Sequence, residues 1–345
     1  MKTNKLKFIS FCVTLALLSL NGCSTKDVET VPAYNYTFDQ FKDIKLPDVT
    51  PTAPATVTST NGSVSASPAA SAANDGLASG NLTAAVSAVA GDVAKAVSSD
   101  DAKKLSDQFT PSVLSSLTSG GALPAGLASD VSKLASDPSL AAYLPTSTLP
   151  TVNGKAVGGR TGAPEAAPVV ISNFAAADDE CKAAAQKAFD AAKATLDAAK
   201  NTQTAAVTAT YNQRVTTINA SNATCKGSVP ATFAALRTAA KAAADKSLAG
   251  LSTLLSSGKI NQSTYNILSV FIYVNLAVTI QAINALEKAE TSACDARQTA
   301  ELAAAAAARD ADLAKINASY NAVLADATAK LNAATASCHN QGSGK

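Results

Sequence analysis

The chain contains no tryptophan, one methionine, one histidine and only 5% aromatic residues in 345. With His339 as the lone imidazole, no Ser-His-Asp set can form away from that position, and His339 reads as a tail residue beside Cys338. The lack of tryptophan weighs against a carbohydrate-stacking platform. Neither a P-loop nor a dinucleotide fingerprint occurs. Gly158-Gly159-Arg160-Thr161-Gly162 is a glycine-rich stretch with no helix signal behind it and reads as linker. Asp178, Asp179 and Glu180 are acids suited to the first turns of a helix, where the dipole favours them. A non-enzyme without cofactor or metal is the expectation.

A second absence concerns the backbone. No glycine or proline occurs from residue 173 to 226 or from 261 to 338, so long uninterrupted helices are allowed. At ~1.5 Å per residue the second stretch could extend on the order of 115 Å. Gly227-Ser228-Val229-Pro230 is expected to break the first helix, and Gly250 to be a weak point in its continuation. The short elements before them carry capping signals: Asn81, Ser99, and the pairs Thr110-Pro111 and Asp137-Pro138.

Charge is also scarce, at 16% of residues, with a formal balance of +2. Lys2, Lys5 and Lys7 precede an apolar stretch, residues 8–20, that is too short to span a bilayer. It ends in Leu20-Asn21-Gly22-Cys23, which resembles the lipobox of bacterial lipoproteins over residues 1–23. The resemblance implies cleavage before Cys23, lipid on that cysteine and attachment to a membrane. Ser24 in the following position implies the outer membrane rather than the inner one. Cleavage removes three lysines, leaving 25 basic against 26 acidic residues, so nothing points to nucleic acid.

Cys12 then leaves with the leader, and four cysteines remain in an oxidising compartment. Cys181 and Cys225 are 44 residues apart, as are Cys294 and Cys338, and the outer and inner pairs both sum to 519. Half of 519 falls beside Gly258. A chain folded back there faces Cys181 with Cys338 and Cys225 with Cys294. Four cysteines allow three pairings. The sequential one needs turns near 203 and 316; the parallel one needs 231–290 to run back uninterrupted. Gly258 favours the nested pairing, and spacings this wide offer no zinc site.

The fold expectation is all-α: a long antiparallel helical hairpin, coiled-coil-like, with a small helical head and a disordered tether before it. In segments, this gives a signal peptide at 1–22, a Pro/Ser/Thr/Ala-rich tether at 23–76 and a short-helix module at 77–145. A linker at 146–172, the stapled hairpin at 173–338 and a tail at 339–345 complete it. Tyr34, Tyr36, Phe38 and Phe41 cluster early in the tether as a collapsed leader. Residues 260–286 carry no charge and form an apolar tip centred on Phe271, Ile272, Tyr273 and Val274. A two-helix hairpin buries one stripe only, so this tip needs further cover from 231–257 and 81–144. The alternative use is insertion into a bilayer. That layout, long helices with an apolar hairpin, resembles cytolysin-A-type α-helical pore-forming toxins. The tip also offers a surface for a protein partner or self-association. The function expected is a non-catalytic, lipid-anchored envelope protein serving as helical spacer, scaffold or binding surface.

Overall fold

The computed structural model describes residues 36–157 and 180–338. From residue 36 onward the N-terminal segment is not a free tether, which corrects that expectation for 36–76. Residues 36–67 lie as an extended strap along the stalk, beginning with one 3₁₀ turn at Asp39–Phe41. Phe41 and Ile44 are buried with Ala327 and pack on Ala188, Phe189, Ala192 and Leu331; Leu46 is buried with Leu196, Val207 and Ile316. Few apolar residues suffice here, because the groove between two paired helices supplies most of the apolar surface. The aromatic cluster is therefore docked rather than self-collapsed, with Phe41 edge-on to Phe189 at 6.2 Å.

The strap ends in β1 (Ser59–Thr60) and β2 (Ser63–Ser65), and then enters the head. The head contains α1 (Pro68–Ala78), α2 (Ala84–Ala96), α3 (Ser99–Asp107), α4 (Pro111–Thr118) and α5 (Ala125–Ala135). Each of the first four starts on a hydroxyl cap: Ser67, Thr83, Ser98 and Thr110. Asp137-Pro138 makes a turn rather than a helix start: Asp137 accepts from the Ser139 amide at 2.9 Å, and only a 3₁₀ turn at Ala141–Tyr143 follows. The segment read as linker then pairs with the strap. β3 (Thr146–Thr148) runs antiparallel to β2, and β4 (Thr151–Val152) lies between β1 and β5 (Lys155–Ala156), antiparallel to both.

The remaining elements are α6 (Glu180–Ser256) and α7 (Gln262–Ser337), of 77 and 76 residues. They form the hairpin, antiparallel along their length. Cross-pairs Asn222–Gln298, Lys226–Asp295, Tyr211–Arg309 and Asp197–Tyr320 have numbers summing to 520, 521, 520 and 517. The register is therefore the one that the nested cysteine pairing requires. Between the helices Gly258 takes φ 70°. The Gly258 amide donates to Leu255 O at 2.9 Å and the Lys259 amide to Leu254 O at 3.0 Å, a Schellman ending that an L-residue with a Cβ would strain. Asn261 then caps α7.

Two expected weak points are not weak. α6 continues through Pro230. Proline removes one intrahelical hydrogen bond, but the neighbouring turns are held by the Cys225 staple and by Val229 and Phe233, buried with Ile283, Leu286 and Cys294. Gly250 is where α1 crosses α6, and a Cβ there would sit 2.9 Å from the Leu77 carbonyl carbon. The small side chain is a packing requirement.

Candidate functional surfaces along the rod

At the base of the rod Cys181 is bonded to Cys338, with Cα atoms 5.8 Å apart; at the neck Cys225 is bonded to Cys294, at 6.0 Å. Cys23, like His339 and the Gly158 loop, lies outside the described residues. Among the described residues no three His, Cys, Asp or Glu side chains converge where a metal could sit.

The apolar tip lies within the head. Phe271, Ile272 and Val274 are buried and Tyr273 is partly so. Phe109 stacks on Tyr273 at 4.9 Å, and Tyr143 meets Phe271 edge-on at 5.6 Å. Three asparagines of this run are hydrogen-bonded to neighbouring elements, while the buried Ser269 hydroxyl has no partner. Asn275 donates to Tyr143 O at 2.8 Å, Asn266 donates to Ser99 Oγ at 3.3 Å, and Asn284 accepts from Arg237 at 2.9 Å. Tyr143 in turn donates to Asp92 at 2.9 Å. Burial together with that carboxylate pushes the Tyr143 hydroxyl up to about 12, so it remains a donor throughout the physiological range.

The neck carries the one buried arginine among the described residues. Arg237 is 5% exposed and reaches Glu287 at 2.5 Å, while its Nε has no hydrogen-bond partner. The turn at Gly120, with φ 87°, lies against its guanidinium. Two open grooves flank the neck. One, of about 630 Å³, is bounded by strap residues Gly62 and Val64, by Phe233 and Leu286, and by Arg297. Leu236, also lining this groove, is 42% exposed. The other, of about 740 Å³, lies between the α4–α5 loop and α7 and is lined by Leu117, Leu123, Gln281, Glu287 and Lys288. These are contact surfaces of mixed character, with apolar floors and hydroxyl or charged rims.

Halfway along the stalk Asp312 is 1% exposed and binds the strap. It accepts from the Thr52 amide at 2.7 Å and from the Thr52 hydroxyl, and Lys315 donates to Thr52 Oγ1 at 2.9 Å. Burial opposes ionisation of Asp312, but the Thr52 hydroxyl and amide and the Lys315 ammonium outweigh it and lower its pKa below the ordinary 3.8. The sign follows: a carboxylate with a lowered folded value contributes fully above 3.8, and that contribution is lost as pH falls through the lower value. Stability measured by urea titration should therefore decline in acid below about pH 4. Asp312→Asn should flatten part of that decline; an unchanged pH profile in the variant would remove Asp312 from the account.

Sequence reading missed Arg237, Glu287, Thr52 and Asp312. The sum of 519 shared by the cysteine pairs held a clue to one pair, since 237 and 287 sum to 524. Nothing in the sequence pointed to Thr52 opposite Asp312, because the strap pairs with the stalk through no shared repeat. No protein-family model matches the chain, and searches of curated proteins and of solved structures each found no match.

Proposed function

We propose that the protein is a non-catalytic, lipid-anchored spacer of the bacterial cell envelope, attached through Cys23 to the outer membrane, that holds a helical head away from the bilayer. One observation carries this reading: the strap starts at the end of the rod opposite the head. Phe41 docks beside Ala327, and Phe271 lies in the head core, 56 residues away along the same helix. At ~1.5 Å per residue that separation is about 84 Å. Cys23 precedes Phe38, which packs on the stalk, by 15 residues, a reach of at most ~54 Å against the ~84 Å from base to head, so a lipid there would attach nearer the base. The lipobox-like leader supplies the lipid, and the paired, stapled helices supply the stiffness.

Two measurements test it. Full-length protein should incorporate labelled palmitate and lose it in Cys23→Ala. On a supported bilayer, reflectometry should find a protein layer on the order of 100 Å thick, as upright helices of this length require. An unlabelled protein, or a layer only as thick as a rod lying flat, overturns the spacer.

The second reading is bilayer insertion by residues 260–286. An 18-residue window of α7 with mean hydropathy 1.7 supports it, but 67% of that window is already buried, so insertion would require the head to open. Dye release from liposomes by the body without its lipid would favour this reading; intact liposomes favour the spacer.

A further inference from the structure

We propose that the lower part of the strap, residues 38–57, is a detachable clamp that sets which part of the rod lies next to the N-terminal attachment point. When it is docked, the chain leaves the body at the base; when it is released, the chain leaves at the neck.

Three observations support this. First, the strap is held at separated points rather than by continuous packing. Its buried side chains before Ser67 are Phe41 and Ile44, at the base, and Leu46, further up beside Ile316. Midway the partly buried Val49 adds to the Leu46 cluster, and the polar holds are Thr52 with Asp312 and Gln203, which donates to Pro47 O at 3.0 Å. At the neck the Gly62 amide donates to Glu290 at 2.5 Å, and a side chain at 62 would collide with Leu286. Just before it, residues 58–60 have exposed side chains but are tied through the backbone, β1 pairing with β4 and the Asn153 amide donating to Thr58 O at 2.8 Å.

Second, the upper half of the strap is taut. From Thr52 to Gly62 it advances 10 residues while its partners on α7 run back from Asp312 to Glu290, 22 residues. That is about 33 Å of helix, or roughly 3.3 Å of advance per strap residue against a maximum of ~3.3–3.6 Å. With so little slack, Thr52 cannot move a helical turn toward the base while Gly62 stays on Glu290; it must come away from Asp312.

Third, the hairpin does not need the strap for its connectivity. Both staples and the cross-pairs Asn222–Gln298, Lys226–Asp295 and Asp197–Tyr320 join α6 directly to α7. Release therefore leaves a paired rod and moves the exit point by about 56 Å, from beside Ala327 to beside Glu290. A spacer built this way has two heights. The clamp itself rests on the contacts above; only its use as a height control rests on the spacer reading.

The test uses the full chain in solution, with a fluorescent donor and acceptor placed by non-cysteine chemistry at Asp39 and Lys330, both at the base and both solvent-accessible. High energy transfer is expected in native buffer. In a urea titration that transfer should be lost well before far-UV helicity, because the strap leaves while the stapled hairpin stays paired. Phe41→Ala with Ile44→Ala should lower the docked-to-released ratio at least tenfold at unchanged helicity. Thr52→Val, which removes one hydroxyl, should lower it severalfold; this milder variant carries the test if the double one misfolds. A single coincident loss of transfer and helicity in the wild type overturns the clamp, since the strap would then belong to the same cooperative core. So does undiminished transfer in both variants. The experiment is blind to the membrane. A thin layer on the bilayer with early strap release would end the spacer reading and leave the clamp standing.

Discussion

Replacing Cys225 and Cys294 together by alanine should lower the free energy of unfolding by about 4 kcal/mol, measured by urea titration of far-UV helicity. The expectation rests on the unfolded chain. The inner bond closes 69 residues of separation and the outer one 157. Once the inner loop is closed, the outer staple still constrains the two 44-residue arms, 88 residues in all. Loops of this size remove roughly 4–5 kcal/mol of closure entropy from the denatured state, against typical totals of 2–4 kcal/mol per native bond. The effect matters here because the stalk core is thin: its fully or nearly buried positions between the staples include Ala305 and Ala308, which bury little apolar area. The neck staple also holds α6 across Pro230, so its loss should fray the helix there. Hydrogen exchange should then quicken around residues 226–233 more than at the base. A drop of less than about 1 kcal/mol would mean that helix packing alone maintains the pairing.

Gly250→Val should destabilise the head, by roughly 2 kcal/mol or more, although helix propensity argues the other way. Glycine costs about 1 kcal/mol in a helix interior, so substituting it within an isolated α6 would be neutral or favourable. In the folded protein α1 rests on this position: the added carbon would collide with Leu77 O and lie 3.1 Å from the Gly80 amide nitrogen. Backbone cannot give way as a flexible side chain can, so α1 must move off α6, and overpacking of this kind typically costs 1–3 kcal/mol. Leu77, fully buried in the head core, would move with it. The check is the melting transition of the variant together with binding of a hydrophobic dye, which should rise as the cover over Phe271 loosens. A variant as stable as the wild type would mean that α1 does not cross at Gly250.

The apolar tip shows how far each level of description reaches. Its composition demands cover, because a hairpin shields one stripe of a helix that is apolar nearly all round. Which residues provide it was legible only in outline. Asn266 and Asn275, costly in either a bilayer or a bare core, make sense once Ser99 and the Tyr143 carbonyl face them. The first head helix was hidden inside a segment that reads as tether. Ser67-Pro68 carries the same cap-then-proline signature as Thr110-Pro111, and that signal marks α1.

The amino-acid sequence by itself determined the periodic and the local: a stretch free of glycine and proline over 261–338 that one helix fills, the cap at Thr110, the turn at Gly258 and, once the chain folds back there, the register of the cysteine pairs. Those features depend on neighbours along one helix or on a symmetry of numbering, so they can be read from the chain alone. Tertiary structure alone decided the fate of residues 36–67, the continuity of α6 at Pro230 and the role of Gly250. In each case a partner distant in sequence provides the missing interaction. A groove between two helices receives three side chains, a disulfide and buried Phe233 hold a turn that lacks one hydrogen bond, and a crossing helix occupies the space left by an absent Cβ.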